Sequence, residues 1–113
     1  MEKIVRQGLL YDFYGELLTE RQREIYEDVV LNDMSLSEIA DEQGISRQAV
    51  HDLIRRCDRI LSGYEDKLRL IARFEETKRL AEEIRNLSRQ MRESGKPDRI
   101  GEIEELTGKI LEL

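Results

Sequence analysis

The chain has 113 residues, enough for one domain of ~100–150 residues and too few for two full ones. Charged side chains make up 39%, against ~25% in an average globular chain, and one Pro with no Trp leaves little to interrupt helices. A single Cys excludes an intrachain disulfide framework, and no stretch approaches the ~18 apolar residues of a membrane span. The net charge of −6 weighs against a generic nucleic-acid coat, where a basic domain is expected, but permits a local basic face. The N-terminus, MEKIVRQGLLYDFYGELL, carries acids early and has no apolar signal core, so a cytoplasmic protein is expected.

The predicted elements are all helices. Ile4, Val5, Leu9, Leu10, Phe13 and Tyr14 mark a first helix over ~3–15. Gly15 to Thr19 reads as a turn. Thr19 with Gln22 three positions on forms a capping box for a second helix over ~20–32, whose apolar face is Ile25, Tyr26, Val29 and Val30. Ser35 with Glu38 is a second capping box, opening a helix over ~36–43 that stops at Gly44. Ser46 caps a fourth helix with Val50, Leu53, Ile54, Cys57, Ile60 and Leu61 on its apolar face. Beyond Ser62-Gly63, residues ~64–94 read as one long amphipathic helix. Gly63 either ends the fourth helix or is carried inside it, since one Gly costs only ~1 kcal/mol there. Ser94-Gly95-Lys96-Pro97-Asp98 is the clearest loop, followed by a last helix over ~98–112. Residues 1–62 and 63–113 are read as two segments, the second either part of the same compact unit or a dimerisation extension.

Charge is distributed unevenly along these elements. Thr19 to Gly44 holds two Arg against eight acids, whereas Ser46 to Leu61 holds four Arg against two acids. An acidic platform therefore precedes one short basic helix.

The informative motif is LSEIADEQGISRQAVHDLIRR, Leu36 to Arg56. A helix-turn-helix needs a small residue where its helices touch, which Ala40 supplies, and a Gly four positions later where the turn visits positive φ, which Gly44 supplies. Ile39, Ile45, Val50 and Leu53 close the angle between the helices, and Ser46 caps the second. Gln43 stands where an apolar residue is common, which leaves the packing at the end of the third helix open.

This stretch, with TERQREIYEDVVL before it, is similar to the fourth region of bacterial sigma factors. With LLYDFYGELLT in front, the chain more closely resembles the YlxM family of small bacterial proteins over roughly residues 1–75. The resemblance implies an all-α, sigma region 4-like helix-turn-helix protein followed by a long amphipathic helix and a C-terminal helix. It also implies a role in, or regulation of, the signal recognition particle pathway.

In a helix-turn-helix the second helix enters the major groove with its N-terminal residues toward base edges. The expected contacts are Ser46, Arg47, Gln48, His51, Arg55, Arg56 and Arg59. Arg47 suits guanine O6 and N7, Gln48 suits adenine N6 and N7, and the later arginines suit phosphates. The helix N-terminus at Ser46 adds backbone N–H donors. The competing reading of the arginines is a solvated face, with Asp52 spaced to pair with Arg56 and Asp58 beside Arg55 and Arg59. His51 has no metal-ligand neighbours in sequence, Cys57 reads as a buried thiol, and no glycine-rich phosphate loop exists. No enzyme activity, cofactor or metal is expected.

Two functions follow as expectations. In the first the chain is a nucleic-acid-binding regulator, on DNA ahead of RNA, working as a homodimer because two units need a two-fold axis to read a divided site. In the second the acidic second and third helices contact a basic partner among signal recognition particle components. A sigma-like contact to RNA polymerase would be at most a partial activity. No membrane association is expected.

Overall fold

The structure is a computed structural model and describes residues 2–113. It contains six α-helices: α1 (Lys3–Tyr14), α2 (Glu20–Val30), α3 (Leu36–Gln43), α4 (Arg47–Leu68), α5 (Leu70–Ser94) and α6 (Ile100–Leu111). A 3₁₀ turn (Gly15–Leu17) links α1 to α2, and there is no strand among the described residues. None of these helices is long and apolar enough to cross a membrane. The chain divides into two compact units, Met1–Ile71 and Ala72–Leu113.

Local chemistry sets the ends of the helices in the first unit. Gly15 is required by close approach, because a Cβ there would meet the Tyr11 ring at 2.7 Å. Both expected capping boxes form: the Thr19 and Ser35 side chains accept from the N–H groups of Gln22 and Glu38, whose side chains accept in return. Gly44 ends α3 at φ +67°, and the N–H groups of Gly44 and Ile45 both reach the Ala40 carbonyl. Ser46 Oγ then accepts from Ala49 N–H at 3.0 Å and starts α4. The sharp α3–turn–α4 angle is closed by Ile39, Ala40 and Val50, all buried, with Ile45 and Leu53 packed at the edge. Gln43 lies at the end of α3 and donates to Glu24 on α2 at 3.2 Å, so that end is tied by a polar contact.

The core of this unit is Leu10, Tyr14, Leu18, Ile25, Tyr26, Ile39, Ala40, Val50, Ile54, Cys57, Leu61 and Ile71, drawn from every helix up to the start of α5. Burial pushes the Cys57 thiol up to about 11, which keeps it protonated at neutral pH. The expected helix over 64–94 does not form as one piece. α4 runs through Ser62 and Gly63 to Leu68, and the break falls at Arg69, which adopts φ +54°. The cause is tertiary. Glu65 is buried, accepts from the Tyr14 hydroxyl at 2.5 Å and from Ile71 N–H at 3.0 Å, while the Tyr14 oxygen accepts from Leu70 N–H at 3.1 Å. A carboxylate and a phenol thus take two of the N–H groups that α5 leaves unpaired at its start. The turn between α4 and α5 is fixed by this clamp and not by a local breaker.

The second unit is simpler. α5 continues to Ser94, Gly95 stops it at φ +71°, and α6 follows the Pro97 loop. Leu80 and Leu87 are its buried side chains. Ile84, Met91, Ile103, Leu106 and Ile110 are only half-buried. Its exposed faces carry paired charges: Arg79 bridges Glu76 and Glu83 at 2.6 and 2.7 Å, and Arg99 joins Glu102 and Gln90.

Candidate nucleic-acid interface

α4 presents its buried stripe, Val50, Ile54, Cys57, Leu61 and Glu65, to α1, α2 and α3. All seven sequence-predicted contact residues, Ser46, Arg47, Gln48, His51, Arg55, Arg56 and Arg59, are solvent-exposed. Helical periodicity sorts them further. Gln48, Arg55, Arg56 and Arg59 all lie away from the buried stripe, Arg55 on the side toward α1 and Arg56 on the other, while Arg47 and His51 lie on the flank toward α1. Arg47 to Arg59 covers roughly 18 Å of helix axis at ~1.5 Å per residue.

Electrostatics favours the arginines as free groups. Among the described residues none of Arg47, Arg55, Arg56 and Arg59 forms an ion pair. The Asp52–Arg56 pair of the competing solvated-face reading does not form. Asp52 instead accepts from the Gln48 amide at 2.9 Å, with His51 Nδ1 3.8 Å away. Asp58, the acid beside Arg55 and Arg59 in sequence, is turned inward. It accepts from the Tyr26 hydroxyl at 2.6 Å and from Gln7 Nε2 at 3.0 and 3.2 Å. Burial, followed by the bond to Asp58, raises Tyr26 well above the ordinary phenol range. Gln48, unlike the arginines, is already engaged, and adenine would have to displace Asp52 from its amide.

Sequence reasoning missed the seam between α1 and α4. Gln7 meets Asp58 and Tyr14 meets Glu65, both 51 residues apart, so the two helices run parallel in a fixed register. A polar residue at Gln7 in an otherwise apolar face was the available signal. A third phenol–carboxylate contact, Tyr11 to Glu27, ties α1 to α2. Burial and this bond push Tyr11 up to about 12.

The fold and this surface define the class: an all-α helix-turn-helix protein with an arginine-bearing second helix. The family model of UPF0122, the YlxM / p13-like helix-turn-helix proteins, matches residues 1–99, and the chain belongs to that family. Similar relatives include a UPF0122 protein of Symbiobacterium thermophilum, 50% identical over 84 residues, 74% of this chain and 78% of that protein. One from Shouchella clausii is 49% identical over 85 residues, 75% of this chain and 78% of its own length. One from Bacillus thuringiensis strain Al Hakam is 46% identical over 87 residues, covering 77% and 79%.

Proposed function

We propose that this chain is a non-enzymatic regulator that binds nucleic acid, DNA ahead of RNA, through the exposed face of α4. The carrying observation is the set of four unpaired arginines on the 47–59 stretch of α4, whose two acids are hydrogen-bonded elsewhere, the half-buried Asp58 to Tyr26 and Gln7 and Asp52 to Gln48. An exposed guanidinium without a carboxylate partner keeps its full charge for a phosphate or for the acceptor edge of guanine. Arg47 and the first-turn N–H groups behind Ser46 serve base edges and an adjacent phosphate. Arg55, Arg56 and Arg59 serve the backbone. A homodimer would supply two such helices to one divided site. The family resemblance favours a role alongside the signal recognition particle in the cytoplasm.

The acidic surface of α2 and α3 supports a second reading, a module for a basic protein or ribonucleoprotein partner in that same machinery. The stretch Thr19 to Gly44 keeps its excess of six acids, and Glu20, Glu24, Asp33, Glu38, Asp41 and Glu42 are exposed.

A gel-shift panel separates the two. The probes are the gene's own upstream duplex, an unrelated duplex and signal recognition particle RNA, at low and physiological salt. A shift lost in the Arg47→Ala/Arg55→Ala variant supports the first reading. Unchanged affinity in that variant contradicts it. No shift with any probe transfers the weight to the second reading, for which a pull-down against the signal recognition particle GTPase is the test.

A further inference from the structure

A cleft of about 380 Å³ opens between the start of α1 and the middle of α4, lined by Lys3, His51, Arg55, Asp58 and Arg59. Its geometry follows from the parallel register. Gln7 lies against Asp58, so Lys3, one turn earlier on the same face of α1, falls beside the Arg55 turn of α4. The only acid in the cleft lining is Asp58, and its carboxylate is already bonded to Tyr26 and Gln7. Among the described residues Lys3, Arg55 and Arg59 have no ion-pair partner. Three cations converge on one opening with a single, inwardly bonded, anion among them. With three cations against one carboxylate the opening keeps a net positive charge, which an anion from outside stabilises.

We propose that Lys3, Arg55 and Arg59 form a seat for a backbone phosphate, so that a bound nucleic acid is gripped by α1 as well as by α4. The inference rests on the nucleic-acid reading above and extends it to a helix outside the helix-turn-helix motif. α1 then acts as a flanking clamp. The cleft lies about two turns behind the first residues of α4, where base edges are read. A phosphate there sets the angle and depth of the recognition helix without carrying sequence information.

The test is the salt dependence of binding by the full chain, measured on two duplexes of unrelated sequence and on signal recognition particle RNA. Lys3 is exposed, so Lys3→Ala should leave the circular dichroism spectrum and melting midpoint unchanged. The slope of log affinity against log salt should fall by about 1 in Lys3→Ala, one phosphate contact fewer. The loss should be equal on every probe that the wild type binds, because a phosphate contact is blind to sequence. Lys3→Arg should restore the slope, which a merely structural role for the lysine would not require. If wild type binds with a steep slope and Lys3→Ala keeps the same slope, the phosphate seat is wrong while the α4 reading stands. If wild type binds none of the probes at low salt, both are wrong.

Discussion

The two compact units of this chain are stabilised by different means. Residues up to Ile71 hold two inward-turned carboxylates, the buried Glu65 and the half-buried Asp58, each answered by a tyrosine hydroxyl. Residues from Ala72 onward bury Leu80 and Leu87, leave the remaining apolar stripe half-covered, and place their ion pairs on exposed faces. A buried charge is tolerated only when its hydrogen bonds are complete, and breaking one partner is costly. An exposed pair is screened by water and contributes little. In the first unit polar chemistry therefore fixes geometry: the α1–α4 register and the turn at Arg69. In the second unit it decorates a hairpin.

The largest expected effect lies in the interior of the first unit. Ile39 is fully buried where α3 meets α4, and Ile39→Ala should cost ~2–5 kcal/mol, read as the fall in the denaturant midpoint at unchanged slope. Next comes Tyr14→Phe. It removes the donor to Glu65 and the acceptor for Leu70 N–H, and should cost ~1.5–3 kcal/mol, with faster amide exchange at Leu70. A loss under half of the lower figure would mean that the clamp does not fix the turn.

Alkaline titration sharpens the comparison further. Tyr11, Tyr14 and Tyr26 are all raised, first by burial and then by their carboxylate partners. A raised folded-state pKa contributes stability that is fully present below the unfolded phenol value of ~10 and is lost as pH rises through the folded value. For Tyr11 that window closes at about 12. The denaturant midpoint should be flat on the tyrosines' account up to that lower bound and then fall steeply, and Tyr26→Phe should flatten the fall. The smallest effect is in the second unit. Arg79→Ala breaks two exposed ion pairs and should leave the melting midpoint within error. A drop comparable to that of Ile39→Ala would erase the distinction between the units.

How much of this was legible in the sequence depended on how local the chemistry is. The capping boxes at Thr19 and Ser35, the Gly44 stop and the Ser46 cap are each written within four residues, and all four form as read. The small Ala40 and the apolar Ile39 and Val50 place the helix-turn-helix for the same reason. The break at Arg69 could not be read this way. It is set by Tyr14, 56 residues from Leu70, and by Glu65 folded into the core, while Gly63, the visible candidate, is carried inside α4. The arginine face was legible as exposed because its positions fall off the apolar stripe. What the sequence left ambiguous was its state of pairing. Asp52 and Asp58 are spaced to neutralise it, and only the fold diverts Asp58 to Tyr26 and Gln7.

The most direct test of the central claim is to map nucleic-acid binding onto backbone amides by NMR, adding the tightest-binding probe to the full chain at low salt. Shifts concentrated at Arg47, Gln48, His51, Arg55 and Arg59 are predicted, with the acidic surface of α2 and α3 unmoved. Shifts confined to that acidic surface, or none at saturating probe, would contradict the assignment of α4 as the binding helix.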